Sequence, residues 1–132
     1  MDSRNQFLKD FRGEMLGSIN AQSSAEEFFQ NQTLRPILKL QNDLFLEVFC
    51  HYIVKSKSDF HHFSIDKKLK FIENSIQKDI KLRNNLKGIV IGLFTVEEYQ
   101  HYEQMPSSLN KRMMVMLIER LQSQLQFFEP HC

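Results

Sequence analysis

Apolar residues recur at three- and four-residue intervals through nearly the whole chain, the spacing that gathers them on one side of an α-helix. Phe7, Leu8, Phe11, Met15 and Ile19 predict a first helix over 4–17, opened by the capping-box pair Ser3 and Gln6 and weakened at its end by Gly13 and Gly17. Two overlapping capping boxes, Ser23 with Glu26 and Ser24 with Glu27, start a short second helix over 25–32. Pro36 fits the first turn of a third, where a missing N–H costs nothing. From 36 to 54 apolar residues nearly encircle that helix, as expected of an element buried on several sides, and Gln41 sits in its strongest apolar face.

After a loop over 55–63, Ser64 caps a long helix predicted over 65–93. Its apolar stripe, Ile65, Leu69, Ile72, Ile76, Ile80, Val90 and Phe94, is interrupted by Asp79, Arg83 and Lys87 at i, i+4 and i+8. Three ionisable groups on one otherwise apolar face require partners, because an unpaired buried charge is expensive. They read as an internal or interface ion-pair site, with Gly88 and Gly92 beside it as a close-contact surface, and secondarily as a pocket for a small anion with help from Gln41 and Tyr99. A capping box at Thr95 and Glu98 begins a short helix to 104, and a last helix over 108–128 starts from Ser107 or Ser108. The fold class is therefore all-α, a single-domain bundle of five to six helices over 1–132 with three long helices and a disordered tail at 130–132.

Composition narrows the class further. The 12 Phe and six Met against no Trp predict a Phe-, Leu- and Ile-rich core. Net charge is +1, but residues 55–87 carry nine basic and four acidic groups. Within them Lys67, Lys70, Asn74, Lys78, Lys81 and Asn85 form an outer stripe without an acid. So modest an overall charge disfavours a dedicated nucleic-acid binder and leaves a local basic face. Cys50 and Cys132 make no disulfide framework, Cys50 reads as packing, and a reducing cytoplasmic setting is expected. No apolar run is long enough for a membrane span.

Candidate chemistry is sparse. Glu98 and His101 have the Glu-x-x-His spacing of bundle di-iron sites, but the only other acid–imidazole pair considered, Glu47 and His51, is spaced differently; no metal and no cofactor are expected. The His61–His62 doublet reads as a solvated turn. Ser107, Ser108, Lys111 and Arg112 at a helix start form an anion candidate, weighed against pairing with Glu97, Glu98 or Glu103. No nucleophile–base pair, phosphate loop or paired carboxylates can be found, so the expected function is a non-catalytic interaction or regulatory module, self-associating or bound to another protein. The alternative is a helical bundle that binds, or acts on, a small anion near Arg83 and Lys87.

The runs Asn31-Gln32-Thr33-Leu34-Arg35-Pro36-Ile37-Leu38, Leu86-Lys87-Gly88-Ile89-Val90-Ile91-Gly92 and Leu109-Asn110-Lys111-Arg112-Met113 resemble a small all-helical bacterial family of about this length. Members sometimes carry a glyoxalase label. The resemblance implies a helical domain and brings no site that can be transferred residue by residue. Metal-dependent glyoxalases are built from βαβββ modules with His and Glu ligands on strands, a pattern this chain does not show.

Overall fold

The computed structural model describes residues 2–12 and 24–132, with no strand among them. The predicted end of the first helix and the Ser23 capping box lie outside the described residues. The chain divides into two compact units, Met1–Gln41 with Lys87–Met113, and Asn42–Leu86 with Met114–Cys132.

In the first unit, α1 (Asp2–Arg12) is followed by α2 (Ala25–Phe29), which Ser24 caps by accepting from the Glu27 N–H at 3.1 Å. A π-helical turn over Gln30–Leu34 leads straight into α3 (Arg35–Leu40). The wider turn has a local cause: proline supplies no N–H and its ring crowds the preceding turn. The Arg35 N–H reaches back five residues to the Gln30 carbonyl just ahead of Pro36. The predicted break between helices at Thr33 is thus absorbed into one helical path. Phe29, Leu34, Ile37, Leu38, Phe94 and Tyr102 are buried in this unit, and Phe94 meets Phe29 and Tyr102 edge-on at 5.5 and 5.8 Å.

The predicted helix over 36–54 is two. Gln41, with φ −91° and ψ 7°, leaves helical geometry, and α4 (Asn42–Ser56) begins at the next residue. Asn42 is drawn into side-chain bonds with Gln124 at 2.8 and 2.9 Å, competition of the kind that makes asparagine a helix-end residue.

The predicted helix over 65–93 is also two, α5 (Ile65–Lys78) and α6 (Ile80–Ile91), and the break is Asp79. Asp79 is extended at ψ 103°, its N–H closes α5 on the Ser75 carbonyl at 2.9 Å, and its Oδ1 accepts from the Leu82 N–H at 3.0 Å. One residue ends one helix and caps the next. Ile65 and Ile80, both members of the predicted apolar stripe, are 68% and 72% exposed. Lys68 takes a buried place on α5 beside Ile72, Ser75 and Ile76, with Nζ 3.0 Å from Glu129 Oε1 and 5.5 Å from the Phe60 ring centre.

Thr95 and Glu98 form the expected capping box of α7 (Val96–Gln104). The last predicted helix starts earlier and divides, as α8 (Pro106–Gln122) and α9 (Leu125–His131). Pro106 takes the first helical position, where its fixed φ suits it better than serine. The stretch read as a tail is the end of α9, and Cys132 forms a disulfide with Cys50, Cα to Cα 5.4 Å, where the sequence reading leaves both thiols unpaired. Phe49, Phe60, Phe71 and Phe128 form an aromatic cluster in the second unit, with centre spacings of 5.4 to 6.1 Å. Gly88 has open space where a Cβ would stand, so the expected close approach does not require glycine there.

Candidate binding groove

Helix α4 buries Phe45, Leu46, Phe49, Cys50 and Ile53, which turns the remaining face outward. On that face Glu47, His51 and Lys55 stand at i, i+4 and i+8, with Val48, Tyr52 and Ser56 in the adjoining row. Within the second unit these six line a cavity of about 620 Å³, closed on its other side by Asp79, Lys81, Leu82 and Asn85 of the α5–α6 break. A second depression of about 430 Å³, lined by Tyr52, Phe71, Asn74, Ser75, Lys78 and Asp79, shares Tyr52 and Asp79 with the first. Val48, Leu82 and the Tyr52 and Phe71 rings supply apolar surface, and Lys55, Lys78 and Lys81 supply cations. Of the two carboxylates, Asp79 is committed to the Leu82 N–H, and Glu47 is exposed.

The Asp79, Arg83, Lys87 row does not make one site within either unit. Asp79 serves the helix break; Arg83 is half-buried, and its Nη1 lies 3.5 Å from the Gln77 carbonyl, the outer limit of a hydrogen bond. Lys87 and Gln41 belong to the first unit, Gln41 at the end of α3. Tyr99 is an exposed residue of α7, also in the first unit, where hydrogen bonding to Glu103 and the charge of that acid push its phenol up. Ser107 and Ser108 are exposed within the first turn of α8, Lys111 is exposed, and Arg112 Nη1 donates to Gln30 Oε1 at 2.9 Å in place of the acids weighed for it.

A buried ion pair lies where the sequence did not single one out. Arg12 of α1 grips Glu98 with both terminal nitrogens, Nη2 to Oε2 at 2.8 Å, and its Nη1 also donates to the Leu93 carbonyl at 2.9 Å. Arg4 donates to the Gly92 and Phe94 carbonyls at 3.0 and 2.8 Å, so α1 covers carbonyls just past the end of α6. Glu98 accepts further bonds from the Thr33 hydroxyl at 2.7 Å and the Thr95 N–H at 2.8 Å. Burial alone would push this carboxyl up, but the bonds from Arg12, Thr95 and Thr33 and the Arg12 charge outweigh it and hold it below its ordinary 4.5. Its capping role was legible at i+3 from Thr95; no local pattern links it to Arg12, 86 residues away. The Glu98 carboxylate faces Arg12, while His101 stacks on Phe29 at 5.5 Å. Among the described residues, no group of three or more His, Cys, Asp or Glu is placed to hold a metal ion.

The fold and the groove define a class no finer than an all-helical protein with an open recess of mixed polarity. No protein-family profile, no curated protein and no solved structure matches the chain.

Proposed function

We propose that this protein is a non-catalytic binding module that engages its partner through the groove between α4 and the α5–α6 break. The observation that carries this is the groove's make-up: a volume within the range of ligand sites, an apolar floor of Val48, Leu82 and Tyr52, and a few charged side chains around it. The expected experiment is a backbone amide NMR titration with N-acetylleucinamide at millimolar concentration. Shifts confined to Val48, Tyr52, Leu82 and their neighbours support the reading; shifts scattered over the surface, or none, overturn it.

Self-association is the second reading, favoured by Phe7 and Phe11 of α1, stacked at 5.4 Å and 62% and 57% exposed. A strictly monomeric mass by light scattering at high concentration removes it. The alternative is the binding of a small anion at Arg83 and Lys87, one turn apart on α6. No helix among the described residues is long and apolar enough to cross a membrane. The Cys50–Cys132 disulfide favours an oxidising compartment over the cytoplasm that the cysteine count suggested.

A further inference from the structure

We infer that the occupant of the groove is an acidic peptide segment that carries apolar anchors; this rests on the binding-module reading above. The outer stripe of α5 and α6 noted in the sequence runs along the groove itself: Asn74 and Lys78 line the smaller depression, and Lys81 and Asn85 line the larger. Lys55 adds a third lysine from α4. Against them stand two carboxylates, Glu47 and Asp79, so the two linings hold three lysines and two acids. The lysines outnumber the carboxylates, and the exposed Lys67 and Lys70 extend the same basic stripe along α5, so an acidic partner is matched better than a basic one.

Shape narrows the occupant further. The two depressions share Tyr52 and Asp79 in their linings, and each has its own apolar patch: Val48 and Leu82 in one, Phe71 in the other. An extended chain presents every second side chain to one face, so two apolar side chains can enter the depressions while the acidic ones between and beyond them reach the lysines. A compact anion such as phosphate would use the lysines and leave the apolar floor bare.

The test is fluorescence anisotropy with a labelled peptide of alternating glutamate and leucine, beside a glutamate–serine peptide, a lysine–leucine peptide and a single-stranded oligonucleotide. The glutamate–leucine peptide is expected to bind at least tenfold tighter than each of the others, and tenfold less tightly to the exposed-site double variant K78E/K81E and in raised salt. Equal binding of the glutamate–serine peptide or the oligonucleotide overturns the inference in favour of a bare electrostatic surface or a nucleic-acid partner. If N-acetylleucinamide still marks Val48 and Leu82 while the glutamate–leucine peptide does not bind, the acidic partner is wrong and the groove reading stands; if neither binds, both fail.

Discussion

Replacing Glu98 with glutamine removes a charge while keeping the shape, and it isolates what the Arg12–Glu98 pair contributes. Glutamine at the third helical position still completes a capping box, so the start of α7 is preserved. What is lost is the anion facing a guanidinium whose side chain is 5% exposed, its own carboxylate being 14% exposed. Removing one partner of so buried a pair leaves the other charge uncompensated, which costs about 3–5 kcal/mol. Arg12→Met is expected to cost a similar amount, since Glu98 would keep only the Thr33 and Thr95 bonds. The double variant should cost clearly less than the sum, because no orphaned charge remains and the Arg12 Nε, buried without a hydrogen-bond partner, goes with it. Urea unfolding followed by far-ultraviolet circular dichroism gives all three values. A cost for Glu98→Gln below about 1 kcal/mol, the range of solvent-exposed pairs, or strict additivity in the cycle, would refute the buried pair.

The same carboxylate sets an acid limit. Because the folded group titrates below its ordinary 4.5, its contribution is complete above that value and is lost as pH falls through the lower folded one. Stability of the parent should fall across that window more steeply than that of Glu98→Gln, as read from urea midpoints at stepped pH; parallel curves would contradict the assignment. Asp79→Ala should remove the cap of α6 and cost about 1 kcal/mol, whereas Asp79→Asn should keep most of it; thermal melts in which the two variants behave alike would sink the capping role. Reducing the Cys50–Cys132 disulfide opens a loop spanning 82 residues of sequence separation, which in the chain-entropy account is worth about 4.5 kcal/mol. A urea midpoint unmoved by a dithiol, with two free thiols counted afterwards, would show that the link contributes nothing.

Helical character, caps and most of the core were readable because they depend on neighbours three and four residues apart. Ser24, Ser64 and Thr95 each accept the predicted backbone hydrogen bond. Helix lengths were not so readable. A period of 3.6 continues across Gln41 and Asp79 on paper, and only the three-dimensional chain shows that a carboxylate in mid-stripe is cheaper as a helix break than as a buried charge. Asp79 stands out in mid-stripe because a carboxylate there needs a partner, and its Oδ1 accepts from the Leu82 N–H. Arg12 with Glu98 and Cys50 with Cys132 stayed hidden because no periodicity encodes partners more than 80 residues apart. The groove was half visible. The basic stripe is legible in the sequence, and the ladder Glu47, His51, Lys55 at i, i+4 and i+8 on an apolar-rich helix is the remaining signal.

The central claim, that this groove receives a partner's apolar side chains, is tested most directly by isotope-filtered NMR on the complex with the glutamate–leucine peptide. Contacts between the peptide's leucine methyls and the methyls of Val48 and Leu82 are the predicted result. Leucine contacts at Phe7 and Phe11 of α1, with none at Val48 or Leu82, would contradict it.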